Sequence, residues 1–209
     1  AKFIQTGGVF TSTSGTFQIG VSGSNSTYSL DITDGIFNHN NGLLKIFGAN
    51  HSAMRNLESY PLYNVEVNQC ATCDCGGTIY VDNNFLMTSN SNTLLYSVVL
   101  KGNYTSTLGA ANVTFVGTNT QTVSGAKIGT VVISKPSGAV VLGSNMVVTG
   151  AGYDLIVNDG DLNLNGYNVT VPDLFTINDK LQLKGNETIT VNSIVAPATN
   201  VKFSFSSGS

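Results

Sequence analysis

The 209-residue chain is 41% hydrophobic but only 10% charged, with a net charge of −3, whereas an average soluble domain carries roughly 25% charged residues. This composition excludes a disordered chain, because enough apolar side chains are present to form a core. It also excludes nucleic-acid binding, since the nine scattered Lys and Arg residues form no cluster that could displace counterions from phosphates. No run of about 18 apolar residues exists, so no membrane-spanning segment is predicted.

Residues 1–48 contain two copies of a repeat. The segment FIQTGGVFTSTSGTFQIG, starting at Phe3, matches LDITDGIFNHNNGLLKIFG, starting at Leu30, so the offset is 27. Apolar residues recur at alternate positions within each copy, which is typical of β-strands. Glycines lie between the alternating runs and indicate turns.

A longer module follows, with one copy in residues 44–110 and a second in 113–175. In this alignment YNVEVN matches GTVVIS, and IYVDNNFLMT matches VVLGSNMVVT. The changing offsets between matched pairs indicate small insertions in loops. The remaining residues, 176–209, are predicted to form a terminal coil and strands.

A shorter repeat lies near the end of the chain. DLNLNG at 161–166 resembles KLQLKG at 180–185, and here the offset is 19. Spacings of 19 and 27 suit single coils of a β-solenoid, in which consecutive coils stack about 4.8 Å apart. The outward residues would then form favourable ladders, with Asp161 beside Lys180 and Asn163 beside Gln182.

The sequence therefore predicts an all-β, single-domain β-solenoid over residues 1–209, and it favours a right-handed parallel β-helix. The strands of an antiparallel β-sandwich or barrel show the same alternation of apolar and polar residues, but hairpin signals of the Asn-Gly type are few here. Little helix is expected outside residues 52–58. The residues predicted to point inward are Val113, Phe115, Ile133, Val140, Leu142, Leu162, Leu164, Leu181 and Leu183.

The repeats also resemble a known kind of protein. The segment VTFVGTNTQTVSGAKIGTVVISKPSGAVVLGSNMVVTG, followed by LIVNDGDLNLNGYNVTV, is similar to the repeats of large secreted or surface-exposed adhesin-type proteins of Bacteroidetes-like bacteria. The resemblance covers most of residues 44–191. It implies a right-handed parallel β-helix and an extracellular or cell-surface location, and it carries no catalytic signature.

The segment NQCATCDCGG contains Cys70, Cys73 and Cys75. The module alignment makes this segment an insertion, so it is predicted to lie on a surface turn between two strands. Three thiols without a second ligand pair fit a structural zinc site poorly, and no βαβ pattern supports a redox motif. A surface-exposed location favours a disulfide, while metal binding and free thiols remain alternatives.

The segment GANHSAMRNLESYPLY, residues 48–63, is the longest break in the strand pattern. It is a possible binding loop, because loops on rigid scaffolds often carry recognition. The favoured alternative is a longer corner between coils with one helical turn. The candidate binding residues are His51, Arg55, Glu58, Tyr60 and Tyr63.

A weak calcium candidate lies in DLNLNG, where Asp161, Asn163 and Asn165 match the first half of a calcium-binding loop. The bidentate acid that such a loop needs at its twelfth position is replaced by Pro172. An ordinary strand with a polar outer face is therefore favoured, and no metal site and no cofactor are predicted.

No positioned acid–base pair, nucleophile motif or phosphate-binding loop is visible, so the sequence predicts a protein that is not an enzyme. Apolar alternation continues at both ends, at Phe3 and again at Val201, Phe203 and Phe205, and open solenoid ends invite pairing with copies of the same chain. The predicted function is a structural extracellular or cell-surface subunit of a bacterial fibre or adhesin stalk. The alternative is a monomeric adhesin or glycan-binding region of a longer surface protein, and a polysaccharide lyase or hydrolase is least favoured.

Overall fold

The chain folds into β-strands joined by turns. A computed structural model of the protein describes residues 2–21, 28–48, 53–68, 77–88, 97–125, 127–150, 152–197 and 202–205. None of these residues lies in a helix, so this part of the chain holds no helix able to cross a membrane. The strands in chain order are β1 (Phe3–Thr11), β2 (Thr16–Val21), β3 (Tyr28–Asn38), β4 (Leu43–Gly48), β5 (Ala53–Arg55), β6 (Asn64–Asn68), β7 (Thr78–Val81), β8 (Phe85–Met87), β9 (Ser97–Leu100), β10 (Tyr104–Ser106), β11 (Asn112–Phe115), β12 (Gln121–Gly125), β13 (Val131–Leu142), β14 (Met146–Val147), β15 (Leu155–Asn163), β16 (Val169–Ile177), β17 (Lys180–Leu183), β18 (Ile189–Val195) and β19 (Lys202–Phe205).

All pairings between these strands are parallel, and the strands stack in columns. Face A consists of β7, β9, β11, the first halves of β13 and β15, and the second halves of β16 and β18. Face B consists of β2, β4, β6, β8, β10, β12, the second halves of β13 and β15, β17 and β19. A short third face contains β14 and the first halves of β16 and β18, while β1, β3 and β5 form a separate sheet. The predicted all-β solenoid is confirmed, and its right-handed winding stays a prediction.

Inward side chains stack from coil to coil. On face B, Phe85 pairs with Tyr104, Tyr104 with Val123 and Val123 with Leu142, and all four are buried. Each such burial stabilises the fold by about 1.5–3 kcal/mol. The rings of Phe85 and Tyr104 stack with centroids 6.0 Å apart. Burial raises the pKa of Tyr104 to about 12, and its hydroxyl accepts a hydrogen bond from the Ala111 N–H at 3.2 Å.

The predicted inward positions are confirmed by their burial. Of the nine residues, all but Leu183 are buried, and Leu183 is half-buried and packs against the core. The outward ladder predicted from the shorter repeat is confirmed as well. Lys180 Nζ lies 2.8 Å from an oxygen of Asp161, and Asn163 Nδ2 donates to Gln182 Oε1 at 3.1 Å.

The repeating unit of the strand pairing is the single coil. The repeat within residues 1–48 joins neighbouring coils, since Phe3 pairs with Leu30 and Phe17 pairs with Leu44. The two longer modules behave differently, because their matched strands lie on different faces: β6 belongs to face B and the first half of β13 belongs to face A. The modules at 44–110 and 113–175 are therefore similar in sequence, but they are not units of the strand pairing.

One sequence-based expectation is wrong, and another falls outside the described chain. Residues 53–55, expected within a helical turn, form strand β5, which pairs in parallel with β3. Hydrogen bonds to β3 in the neighbouring coil pair the backbone N–H and C=O groups of these residues, so no helix is needed to satisfy them. The three cysteines, Cys70, Cys73 and Cys75, lie outside the described residues, so their prediction is not tested.

Asparagine side chains tie successive coils together at a corner. The Oδ1 of Asn64 accepts the backbone N–H of Asn84 at 3.2 Å, Asn84 accepts that of Asn103 at 3.2 Å, and Asn103 accepts that of Thr122 at 2.7 Å. Each side chain thus replaces a backbone partner that the turn cannot supply. A second ladder of this kind joins Asn145, Asn168 and Thr188.

Lys135 is fully buried although it carries a charge. Its Nζ lies within hydrogen-bonding distance of the carbonyl oxygens of Val116, Gly117 and Asn119, at 3.4, 3.1 and 2.9 Å, and of the side-chain oxygen of Gln121, so its three N–H groups are shared among four acceptors. No ion pair joins Lys135 to a carboxylate within the described chain. Burial lowers the pKa of Lys135, whereas the surrounding oxygens favour the ammonium form. Lys135 therefore fastens the 116–121 turn to the next coil.

Glu187 holds a turn near the end of the solenoid. Its carboxylate accepts the backbone N–H groups of Lys184, Gly185 and Asn186 at 2.7, 2.8 and 3.1 Å, and that of Gly166 from the preceding coil at 2.9 Å. Burial alone would raise the pKa of Glu187, but these backbone donors outweigh it and lower the pKa to about 2. Glu187 is therefore ionised in the folded protein at any pH well above that value.

We expect Glu187→Gln to lower the melting temperature at neutral pH by about 2–4 °C, the effect of losing roughly 1 kcal/mol in a chain of this size. The folded pKa is depressed, so the stabilisation is complete above the ordinary value of 4.5 and is lost as the pH falls towards 2. Thermal unfolding followed by circular dichroism should show the two proteins converging as the pH falls through that range. A difference independent of pH would contradict an ionic origin.

Candidate functional site

An open groove runs along the solenoid beside the turn at residues 57–61. Its centre is built by β7 and β9, whose side chains alternate between the core and the surface. Val81 and Leu100 point inward and are buried. Asp82 and Lys101 directly follow these two strands and lie at the surface, because the alternation places the next side chain outside.

Asp82 and Lys101 form an ion pair, with Lys101 Nζ 2.7 Å from Asp82 Oδ1. The side chains are 29% and 55% exposed, respectively, so the pair contributes only about 0–1 kcal/mol to stability. Its significance lies in placing a carboxylate and an ammonium side by side at the surface. Position 102, directly after Lys101, requires glycine, because the Cβ of any other residue would overlap the carbonyl oxygen of Asn83 in the preceding coil.

The middle compartment of the groove has a volume of about 230 Å³. Its floor is partly apolar, with Tyr80 and Val99 paired on neighbouring strands and Val116 on the next coil. Glu58 and Pro61, from the turn at 57–61, form its wall, and the Asp82–Lys101 pair completes the lining. A floor of apolar faces with a polar rim suits a ligand that has both kinds of surface.

Two further compartments adjoin the middle one, and all three share Asp82. The first, of about 290 Å³, is lined by His39, Ser59 and Tyr60. The second, of about 350 Å³, is lined by Tyr63, Thr118 and Asn119. The rings of His39 and Tyr63 stack with centroids 5.1 Å apart and planes 24° apart.

Asn56 anchors the turn that forms the groove wall. It is 6% exposed, and its Nδ2 donates to the carbonyl oxygens of Tyr60 and Tyr80 at 3.1 and 3.2 Å. Its Oδ1 accepts the Tyr80 N–H at 2.9 Å. One side chain therefore fixes the turn carrying Glu58 and Pro61 against the strand that forms the groove floor.

The structure brings together three of the five residues predicted for a binding loop. Glu58, Tyr60 and Tyr63 line the groove, whereas His51 lies outside the described residues.

Arg55 does not line any of the three compartments. It pairs with Asp31 at 2.6 Å, and its guanidinium lies 4.4 Å from the ring centroid of Tyr28. The hydrogen bond to Asp31 is the main cause that raises the pKa of Arg55. Both partners of the Arg55 guanidinium, Asp31 and Tyr28, belong to β3 of the same sheet. The cation therefore stabilises this sheet and is not directed at the groove.

The residues of the weak calcium candidate are bound within the strand ladder. Asp161 accepts hydrogen bonds from Lys180 and from Gln182 Nε2, the latter at 2.7 Å. Asn163 Oδ1 accepts the backbone N–H of Asn165 at 2.8 Å, and Asn165 Nδ2 donates to a carbonyl of the neighbouring coil. These contacts fit the favoured interpretation, a strand with a polar outer face.

Sequence analysis missed Asp82, Lys101 and Tyr80. A signal for them is present, because IYVDNNF at 79–85 matches VVLKGNY at 98–104 with the same offset as the repeat near the end of the chain. That alignment places Asp82 on Lys101, directly after the last pair of β7 and β9, Val81 with Leu100. The longer-module alignment obscured it by matching 79–88 with 140–149.

Comparison with known proteins adds no relative. No protein-family model matches the sequence, no curated protein matches it, and no solved structure matches the fold.

Proposed function

We propose that this protein is a solenoid scaffold at the bacterial cell surface or outside the cell, and that it binds glycan in the groove centred on Asp82. The observation that carries the proposal is the combination of a partly apolar floor, formed by Tyr80, Val99 and Val116, with a rim of carboxylates and hydroxyls. The extracellular location rests on the adhesin-like repeat style of the sequence.

The groove suits sugars because a pyranose ring has an apolar C–H face and an edge of hydroxyl groups. Aromatic and apolar side chains on the floor can pack against the ring face. Asp82 and Glu58 can accept hydrogen bonds from hydroxyl groups, and such charge-assisted bonds are stronger than neutral ones. The stacked strands hold these groups rigidly, which reduces the entropy cost of binding.

We expect Asp82→Ala to weaken glycan binding by at least about tenfold, the equivalent of 1.4 kcal/mol. The measurement is binding of the purified protein to an array of bacterial, plant and host glycans, followed by titration calorimetry on the best ligand. Asp161→Ala is the matched control, because it removes a carboxylate from an equivalent Asp–Lys pair at 2.8 Å outside the groove. Equal losses in the two variants would contradict a role for the groove.

The proposed activity is binding without turnover. Glu58 and Asp82 both line the middle compartment, so hydrolysis by a carboxylate pair is the competing activity. Incubation of the protein with the polysaccharides it binds should release no reducing or unsaturated ends. Release that disappears in Glu58→Gln would establish an enzyme instead.

A second candidate function is end-to-end association of copies of the chain into a stalk or fibre. Within the described strands, β1 and β19 each pair with one neighbour only. Apolar side chains are exposed near both ends, with Ile4 and Val9 at 58% and 69%, and Ile194 and Val195 at 50% and 40%. Open strand edges of this kind are templates for further pairing, and contacts of this type that do not close produce filaments.

If copies associate in this way, sedimentation velocity should show species whose size increases with the protein concentration. Val9→Lys places a charge on the first strand and should shift the distribution towards monomer, because lysine on an edge strand opposes pairing. Lys184→Met, which changes an exposed charge elsewhere, should leave the distribution unchanged. Monomers at every concentration would contradict the association.

A further inference from the structure

The middle compartment of the groove holds an unpaired negative charge. Its charged lining residues are Glu58, Asp82 and Lys101. Lys101 Nζ lies 2.7 Å from Asp82 Oδ1, so this cation already has a carboxylate partner. Glu58 is exposed, and no ion pair joins it to a cation within the described chain. The compartment therefore lacks one positive charge for neutrality.

The two adjoining compartments do not supply that charge. They share Asp82, and the second also shares Lys101, but their other described lining residues include no lysine or arginine. His39 lines the first compartment and stacks on the ring of Tyr63, with centroids 5.1 Å apart. A ligand that brings a cation into the middle compartment would offset the charge of Glu58, whereas an anionic ligand would add to it.

An organic cation suits the middle compartment better than a metal ion. Metal sites in proteins are built from several converging ligands, and the described part of the chain contains no group of three or more His, Cys, Asp or Glu side chains that could hold a metal. Tyr80, Val99 and Val116 line the floor instead. Such a floor suits a cation carried on a carbon framework, because the ring face of a tyrosine also attracts an ammonium group.

The size and the surface of the compartment specify the ligand further. Its volume of about 230 Å³ is below the range of about 300–1,000 Å³ for drug-sized ligands, so it suits a single sugar unit. A hexosamine offers an apolar ring face to the floor and hydroxyl groups to the rim, as other sugars do. It adds one ammonium group at the ring edge, and this group matches the one unpaired carboxylate.

We propose that the middle compartment binds a hexosamine with a free amine, and that Glu58 pairs with the ammonium group of the sugar. This inference rests on the proposed glycan binding and specifies the class of sugar. The bond between ammonium and carboxylate is charge-assisted and therefore stronger than a bond from a neutral hydroxyl. Lys101 repels the sugar ammonium, but Asp82 at 2.7 Å offsets its charge. An N-acetyl group abolishes the positive charge of the amine, so N-acetylated sugars bind more weakly.

NMR titration of the whole protein with two matched series of methyl glycosides tests the proposal. The gluco series and the galacto series each contain the amine, its N-acetyl derivative and the parent sugar, which differ only in the substituent at the second carbon. We expect the amine of at least one series to bind at least about tenfold more tightly than its N-acetyl derivative. This preference should decrease as salt is added, because salt screens a solvent-accessible ion pair. Nα-acetyl-lysine amide, which carries an amine but no sugar ring, should bind more weakly than that amino sugar.

Three variants test the charge balance. Glu58→Gln removes the unpaired charge but keeps a hydrogen-bond acceptor, so it should weaken binding of the amine about tenfold and leave binding of the parent sugar nearly unchanged. Lys101→Met leaves both carboxylates unpaired and should increase the preference for the amine beyond that of the wild type. Glu66→Gln is the matched control, because Glu66 pairs with Lys45 at 2.7 Å on face B, and it should leave the preference unchanged.

Equal affinities for the amine and its N-acetyl derivative in both series, or tighter binding of the lysine derivative, would overturn the inference while leaving glycan binding intact. An amine preference that persists in Glu58→Gln would overturn it as well. Glycan binding itself is tested separately, on the glycan array and with Asp82→Ala. Failure of the wild-type protein to bind any saccharide would overturn the proposed function together with this inference.

Discussion

Lys135→Met is expected to destabilise the protein by about 3 kcal/mol, because the carbonyl oxygens of Val116, Gly117 and Asn119 would lose their donor inside the solenoid. Methionine matches the length and flexibility of lysine but cannot donate a hydrogen bond. In a chain of this size the change should lower the melting temperature by about 6–12 °C. Thermal unfolding followed by circular dichroism at neutral pH measures it.

Lys184→Met is the matched control for this result, since Lys184 is exposed at a turn and its replacement should shift the melting temperature by no more than about 1–2 °C. The loss at Lys135 should be accompanied by faster hydrogen exchange in the 116–121 turn, which Lys135 fastens. If Lys135→Met were as stable as the wild type, relief from burying a charge would have offset the lost hydrogen bonds.

Asn56→Ala is expected to cost about 2 kcal/mol and to weaken glycan binding by about tenfold. The substitution leaves the N–H of Tyr80 without its side-chain acceptor, and it leaves the carbonyl of Tyr60, within the turn, without the Asn56 donor. The turn carrying Glu58 and Pro61 would then have to be ordered during binding, and this ordering reduces affinity. Thermal unfolding and calorimetry with the best glycan measure the two effects.

Asn178→Ala provides the comparison for Asn56. Asn178 makes one exposed ladder bond, from its Nδ2 to Asn158 Oδ1 at 3.1 Å, so its loss should cost less than about 1 kcal/mol. Because Asn178 is far in sequence from the residues that line the groove, Asn178→Ala should leave the glycan affinity unchanged. Loss of stability in Asn56→Ala without loss of binding would show that the turn is not part of the site.

Much of the fold could be predicted from periodicity. Alternation with period two identified strands, and the two constant offsets between repeats identified coils, because inward side chains must stack on similar side chains of the next coil. The pairings Phe3 with Leu30 and Leu162 with Leu181 follow from these offsets alone. The corner at residues 53–55 could not be predicted, because its strand depends on backbone partners in β3.

The candidate site was predicted only in part. Glu58, Tyr60 and Tyr63 were found because they interrupt the strand pattern, which is where loops carry recognition. Asp82 and Lys101 were missed because they continue an ordinary alternation, and nothing in a single strand distinguishes an outward aspartate that lines a groove from one that faces open solvent. Their role depends on the turn at 57–61 that rises beside them.

The sequence by itself determined the solenoid, its inward core and the ladder of Asp161 with Lys180, because each follows from the spacing of like residues along one chain. The tertiary structure alone decided which polar residues are buried. Lys135 and Asn56 are residue types usually found at the surface, yet both are buried. Carbonyl oxygens in the 116–121 turn of the neighbouring coil accept from Lys135, and those of Tyr60 in its own turn and of Tyr80 in β7 accept from Asn56. The spacing of side chains within a strand is a local property, whereas the direction of a turn's carbonyl groups depends on how the coils stack.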